Sequence, residues 1–509
     1  MRNISKTYKY LLFLIILLCL MHDKVIGQQS FEFLYTTPAD NVISNGVVDH
    51  FSNAILVGHI GDAAYAGSLD GFVMKVYPDG TYMAKQFELS DYNNSFHSVV
   101  VLDNGNYMIL GSKGDTNHIY YRKYFWVLTL DQELEVLSDK AYEIDDYYTG
   151  VGTTMKAILD NEGNIVIAGH VLERVNEYQY FGDYVMYKLT QQGDTLLSRY
   201  YNFPYTQAAD ELMRIPESDH LLLLGDRITT NAIPSVLILD SEMEILNSYS
   251  FQIYPSPLSQ SLSAAKWLNG TDFLMAGTRQ LQDERYIDNY IAVFRMNTSA
   301  ELFEELVLTV PDTSIYRAWN RSITEANDST IYVAGFQAFA DISTPNAVYL
   351  FLIDSQMNLL GRKSFYIGDD QYQVRGTLAM PDDGCLMTIS KMRISDQGYL
   401  ERDVYIRKYL REDFEIITSV EDYPLNKIAA KAWPNPADNL LHISLEGLET
   451  GQDFRLFIYN IAGQKYLDKA HIVSGNTVQC RIDVLPAGTY VYEIEADRQH
   501  LISGKFIKN

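Results

Sequence analysis

Ala54-Ile-Leu-Val-Gly58 is the first of a series of short apolar runs that close on a glycine. The run recurs as Tyr107-Met-Ile-Leu-Gly111, Ile165-Val-Ile-Ala-Gly169, Leu221-Leu-Leu-Leu-Gly225, Phe273-Leu-Met-Ala-Gly277 and Ile331-Tyr-Val-Ala-Gly335. A seventh copy, Leu386-Met-Thr-Ile-Ser390, keeps the apolar run and replaces the glycine. Steps between successive anchors are 53, 58, 56, 52, 58 and 55 residues. Self-similarity at a period of this size marks a repeat architecture.

Each unit has the same internal order. In the second, a strand from Phe96 to Leu102 turns at Asp103-Asn-Gly-Asn106 and returns through the anchor strand to Gly111. A long loop then leads to Phe125-Trp-Val-Leu-Thr-Leu130, a short turn at Asp131-Gln-Glu133, and a last strand from Leu134 to Tyr142. Four short strands joined by Asx and glycine turns describe a β-meander. The anchor strands are apolar at nearly every position, so both of their faces must be covered, which a sheet held between two similar sheets achieves. The expected fold is all-β: a seven-bladed β-propeller over residues 28–423, followed by a small Ig-like β-sandwich. Phe31-Glu-Phe-Leu-Tyr35 precedes the first unit, looks like a fourth strand, and is expected to complete the last blade. On that reading Phe414 to Val420 is an exit strand or linker.

Composition fits a β protein. The chain has 509 residues, 47% of them hydrophobic, with 38 tyrosines against 4 tryptophans and 14 prolines. Arg2, Lys6 and Lys9, the apolar run Leu11 to Leu20 and a cut after Gly27 read as a signal peptide over residues 1–27, too short in its apolar part to stay in a membrane. Cys19 invites comparison with a lipoprotein, but Leu18 before it is bulky. The mature chain is expected to have no transmembrane helix. The net charge is −25. Residues from Pro424 onward are balanced in charge, so the acidic excess lies in the repeats and argues against a nucleic-acid partner. Cys385 and Cys480 stand in different domains and read as buried small hydrophobes.

The apolar runs closing on glycine resemble kelch-type propeller repeats. The second kelch glycine is replaced by His59, Ser112, His170, Asp226, Thr278 and Phe336, and the usual tryptophan of the fourth strand is absent. A second resemblance covers Lys431 to Asn509, after a linker at 424–430. Trp433-Pro-Asn-Pro-Ala437, Leu441-His-Ile443, Leu456-Phe-Ile-Tyr-Asn-Ile-Ala-Gly-Gln464, Leu485-Pro-Ala-Gly-Thr-Tyr-Val-Tyr-Glu-Ile494 and Lys505-Phe-Ile-Lys508 resemble the type A sorting domain of the type IX secretion system. The sorting motif falls on Pro434, Asn435, Pro436, Gly463, Gly488, Tyr490 and Lys505. The resemblance implies transit through the periplasm of a Gram-negative bacterium and recognition by an outer-membrane translocon. A sortase-like protease then cleaves the C-terminal domain, and the protein is released or held on the cell surface. Asp194-Thr-Leu196 and Asp328-Ser-Thr330 resemble the acceptor triplet for O-glycosylation in such bacteria, which implies Thr195 or Ser329 as acceptors.

The chain has no G-x-S-x-G elbow, H-E-x-x-H helix, P-loop or sialidase-type Asp-box, so no catalytic residue and no cofactor is assigned. His59 and His170 follow equivalent anchors but stand two units apart, too far for a shared metal, and no metal site is expected. Aspartates in the short turns, as in Asp160-Asn-Glu-Gly-Asn164, are what hairpins require. The long connections gather on one face with many tyrosines, and Tyr92, Tyr148, Tyr205, Tyr254, Tyr316 and Tyr372 form the candidate ligand face for an extracellular glycan or peptide. Two functions remain: a secreted or cell-surface binding or adhesion propeller, and an extracellular hydrolase using the propeller as a scaffold.

Overall fold

The computed structural model describes residues 29–61, 69–89, 92–115, 124–144, 150–174, 180–203, 206–228, 232–250, 262–268, 271–282, 287–299, 302–310, 313–327, 330–337, 345–367, 370–394, 400–414, 429–446, 453–460, 465–472, 477–496 and 499–509. The expected signal peptide and most of the segments 414–420 and 424–430 lie outside them. The chain divides into two compact units, Met1–Ile417 and Thr418–Asn509.

Among the described residues the first unit holds seven antiparallel sheets. The first is Asp40–Val48, Ala54–Gly61, Leu69–Val76 and Tyr82–Phe87, in that order. The second to fifth repeat the meander, each with the anchor strand second from the inside. The sixth is built on Thr330–Gln337, and its inner strand comes in two pieces, Ile315–Arg317 and Ile323–Asn327. In the seventh, Gln371–Ala379, Cys385–Ile394 and Leu400–Tyr409 are completed by Phe31–Tyr35 from the other end of the unit.

The anchor strands are buried because each face packs on a different neighbour. Ala54 and Leu56 join a cluster with Leu386 and Ile406 of the seventh sheet, while Ile55 and Val57 join one with Ile109 and Trp126 of the second. Every consecutive pair of sheets shares such a cluster, and the series returns to its start. The innermost strands also touch one another in that cyclic order. The result is an all-β, propeller-like ring. Closure depends on Phe31–Tyr35, which pairs antiparallel with the seventh sheet from Phe31↔Lys408 to Tyr35↔Val404. Glu32 reinforces it, accepting from Tyr405 Oη at 2.6 Å and pairing with Arg407 at 3.0 Å.

The anchor glycines have a steric cause. A Cβ on Gly58 would collide with the Val42 carbonyl oxygen, and one on Gly111 with the Ser95 carbonyl oxygen. Both carbonyls stand immediately before a β-bulge in the innermost strand, between Ile43 and Asn45 and between Phe96 and Ser98.

The turns follow their aspartates. Asp131, Asp240 and Asp354 each accept from the backbone N–H groups two and four residues on, at 2.8–3.0 Å. The residues three after them, Leu134, Met243 and Met357, adopt φ of 60–62° and turn their side chains into the core. Leu134 therefore belongs to the turn, and the last strand of the second unit is Val136–Glu143. Asp160 likewise accepts from the Glu162 and Asn164 amides and pairs with Lys188 at 3.0 Å. Cys385 and Cys480 are buried free thiols.

The second unit consists of a three-stranded sheet, Ala429–Trp433, Leu440–Glu446 and Thr477–Arg481, and a four-stranded sheet, Lys465–Ile472, Asp453–Asn460, Gly488–Ala496 and Gln499–Lys508. Leu441, Ile443 and Cys480 of one and Leu456, Ile458, Tyr492 and Phe506 of the other share one core. Among the described residues of the chain no helix is long and apolar enough to cross a membrane.

Candidate functional site

The bulges that explain the glycines also build a site. Each bulge leaves one innermost-strand residue out of the pairing: Ser44, His97, Asp210, Ser263 and Arg375. In the third sheet the gap lies between Val151 and Met155, just before Lys156. In the sixth it widens into the excursion 318–322, which splits the innermost strand. That excursion is tied to the seventh sheet. Trp319 N donates to Val374 O at 3.0 Å, Asn320 N to Arg375 O at 2.8 Å, and Thr377 N to Arg321 O at 2.9 Å.

Three cationic side chains reach from these strands to backbone carbonyls on other sheets. Lys156 of the third sheet donates to Asn320 O at 3.3 Å, and Arg321 of the sixth to Gly46 O of the first at 3.5 Å. These pairs of sheets are not neighbours in the ring, so the contacts span its axis. Arg375 donates to Ile43 O at 3.4 Å, and its guanidinium lies 5.9 Å from the Trp319 ring centroid. Trp319 is 54% exposed, and the backbone of its excursion is fixed by the three hydrogen bonds to the seventh sheet. A shallow recess opens here beside Asn320, Arg321 and Arg375, and its enclosed part has room for one water-sized group.

Electrostatics set the axis apart from the rest of an acidic chain. Lys156, Arg317 and Arg321 gather near two carboxylates, Asp210 and Glu211, while Arg375 lies near Arg402 and Asp40. Among the described residues Lys156, Arg321 and Arg375 form no ion pair. Burial lowers the Lys156 ammonium, with Glu211 the main opposing charge. Burial, and then repulsion from Arg402, lowers the Arg375 guanidinium to about 10. Burial pushes the Asp210 carboxyl up to about 7 against the pull of Arg317 and Lys156, and its Oδ2 is shielded from solvent without a hydrogen-bond partner. Unpaired buried charge is costly, and such arrangements gather at functional sites.

The tyrosines chosen from sequence are not gathered in this way. Tyr372 is 1% exposed, its hydroxyl donating to Ile367 O at 2.6 Å, so it is a core residue and leaves the ligand face. Its strand starts one residue earlier, at Gln371, so it is not borne on the loop. Tyr316 is 40% exposed and packs 6.0 Å from Phe336. Tyr92 opens the innermost strand of the second sheet. Tyr148, Tyr205 and Tyr254 lie outside the described residues, as does Ser329, whereas Thr195 is exposed at the start of an outer strand. His59 and His170 stand in the first and third sheets, and burial lowers the His170 imidazole to about 4. Among the described residues no group of three His, Cys, Asp or Glu side chains is placed to hold a metal.

In the second unit the chosen residues converge on one end. Asn435, between Pro434 and Pro436, accepts from Ile507 N at 2.8 Å, and Ala437 N donates to Ile507 O at 2.8 Å. Gly488 pairs with Lys508, and Tyr490 pairs with Phe506 and stacks on it at 5.6 Å. Lys505 is exposed on the same terminal strand, while Gly463 lies outside the described residues. The φ of Gly488, 159°, is close to extended backbone, and a Cβ there would meet only the Tyr490 ring at 3.9 Å. Residues 431–509 match the family described as secretion system C-terminal sorting domain. This segment is a sorting domain. It marks the chain for type IX export to the cell surface or extracellular space.

None of the curated proteins matches the chain. Solved structures give distant likenesses. Polysaccharide lyase Uly1 aligns at 9% identity and TM-score 0.42, over 76% of this chain and 93% of that one. The GH93 α-L-arabinofuranosidase of Fusarium graminearum aligns at 10% and 0.41, over 62% and 92%. The β-propeller domain of the Trilobed protease from Pyrococcus furiosus aligns at 9% and 0.38, over 77% and 97%. Likenesses this remote say nothing about ligand or chemistry.

Proposed function

We propose that the chain is a seven-bladed, kelch-like propeller, preceded by a signal peptide at residues 1–27, that binds an extracellular ligand at its axis. Residues 28–423 carry the propeller, 424–430 a linker, and 431–509 an Ig-like β-sandwich read by the secretion translocon and removed by its protease. The observation that carries the binding reading is Trp319: an exposed indole beside the Arg375 guanidinium, on an excursion fixed by backbone bonds to the next sheet. A rigid aromatic next to unpaired charge is what a binding site needs, because ordering it on binding costs little. A glycan-array and peptide-library screen of the mature chain, with Trp319→Ala alongside, tests this. Hits that vanish in the variant support the axis; hits that persist place binding elsewhere. Thr195 is the exposed O-glycosylation acceptor of the proposal, and intact mass of native protein checks it.

A second reading has its own support. Asp210, held up to about 7 beside Glu211, has the proton affinity of a general acid, which suits a hydrolase acting on glycan or peptide. Release of reducing ends or new amines, abolished by Asp210→Asn, would favour that reading over simple binding.

A further inference from the structure

The geometry points to the acid group of a negatively charged polysaccharide as what the axial recess takes, with Arg321 and Arg375 holding the acid oxygens and Trp319 stacking on the sugar ring. This rests on the binding reading above and names its ligand class.

Charge is the first argument. The chain as a whole carries −25, yet the axis gathers Lys156, Arg317, Arg321, Arg375 and Arg402 against only Asp210, Glu211 and Asp40. Lys156, Arg321 and Arg375 each make one long contact to a carbonyl, 3.3–3.5 Å, and no ion pair, so most of their donors remain available. A guanidinium meets a carboxylate or sulfate with two parallel N–H donors, which its present single carbonyl contact does not exploit.

Size is the second. The enclosed part of the recess has room for one water-sized group, while its mouth opens toward solvent. One oxygen of an acid group fills that space, so the rest of the group and the ring that bears it stay at the mouth, where the exposed Trp319 beside Arg375 offers an apolar face to the C–H face of a sugar.

The third argument separates a glycan from an acidic peptide. One way to take an extended peptide is to add it to a free strand edge. Here the backbone around Trp319 is already paired: Trp319 N to Val374 O, Asn320 N to Arg375 O and Thr377 N to Arg321 O. What remains for a ligand is side chains alone, the arrangement that suits a ring with pendant acid groups.

The test is calorimetric titration of the full mature chain with four probes: a galacturonic acid trisaccharide, a sulfated galactose trisaccharide, a neutral galactose trisaccharide and hexaglutamate. The acidic sugars should bind roughly tenfold or more tighter than the neutral one, and raised salt should weaken them. The tighter of the two acidic sugars identifies the acid group. Arg321→Gln and Arg375→Gln should each lose roughly tenfold for the acidic sugars while leaving the neutral sugar unchanged. Arg375→Lys, which keeps the charge without the fork, guards against a variant that fails to fold and should lose part of that affinity. Equal binding of neutral and acidic sugars, still dependent on Trp319, would overturn the anionic ligand while leaving an axial glycan site. Preference for hexaglutamate would overturn the glycan, and binding that ignores Trp319, Arg321 and Arg375 would overturn the axial site itself.

Discussion

Lys156 Nζ donates to the Asn320 carbonyl oxygen at 3.3 Å, joining the third sheet of the ring to the sixth across its axis. The ammonium lies close enough to Asp210 to lower its proton affinity against the larger effect of burial. Lys156→Met removes that pull. The Asp210 carboxyl should then titrate above its present value of about 7, as followed by carbon NMR of the carboxyl group.

Asp210 also makes a stability prediction. Its folded value lies above its unfolded value of 3.8, so the folded chain binds the extra proton between those two pH values. Stability from this group is therefore present below the unfolded value and is lost as pH rises through about 7. Asp210→Asn should stabilise the protein by on the order of 2 kcal/mol at about pH 8 and leave it unchanged near pH 3, as read from denaturant midpoints.

His170 has the opposite sign. Burial lowers it from 6.5 to about 4, so the unfolded chain takes up its proton first as pH falls. Stability is lost as pH drops through that window, and His170→Gln should flatten the loss by about 3 kcal/mol in urea titrations between those limits.

Much of the ring was legible from the anchor runs, because an apolar strand covered on both faces and repeated at a steady interval leaves few other architectures. The pairing of Phe31–Tyr35 with the seventh sheet was legible too, from an unmatched strand ahead of the first repeat. The axis was not. Asp210, Arg375 and the excursion at Trp319 are set by bulges, and a bulge leaves no mark on apolar periodicity beyond one skipped residue. The anchor glycines were its visible trace, since Gly58 and Gly111 are required by carbonyls that stand immediately before the bulges. The residue after each anchor glycine's partner on the innermost strand would have pointed to Ser44, His97 and Asp210. Tyr372 sits beside a long connection in sequence, but strand pairing begins before it, at Gln371, and carries it into the core.

Tyr372 accordingly predicts a core phenotype. Tyr372→Ala should cost about 3–5 kcal/mol, and Tyr372→Phe, which loses only the bond to Ile367 O, about 1 kcal/mol, by chemical denaturation.

Gly58 and Gly376 form a contrasting pair. A Cβ on Gly58 collides with backbone, whereas one on Gly376 meets its neighbours at 3.5–3.7 Å, an ordinary contact. Gly58→Ala should cost upwards of about 3 kcal/mol or prevent folding, while Gly376→Ala should stay within about 1 kcal/mol, as compared by melting curves.

The most direct test of an axial binding site uses the indole that sits on it. Trp126 is buried and Trp319 is exposed beside Arg375, so tryptophan emission of the mature chain should change saturably as galacturonic acid trisaccharide is added. In Trp319→Phe that change should disappear while calorimetry still detects the ligand. An emission change that persists in Trp319→Phe would place the ligand away from the axis and contradict the account.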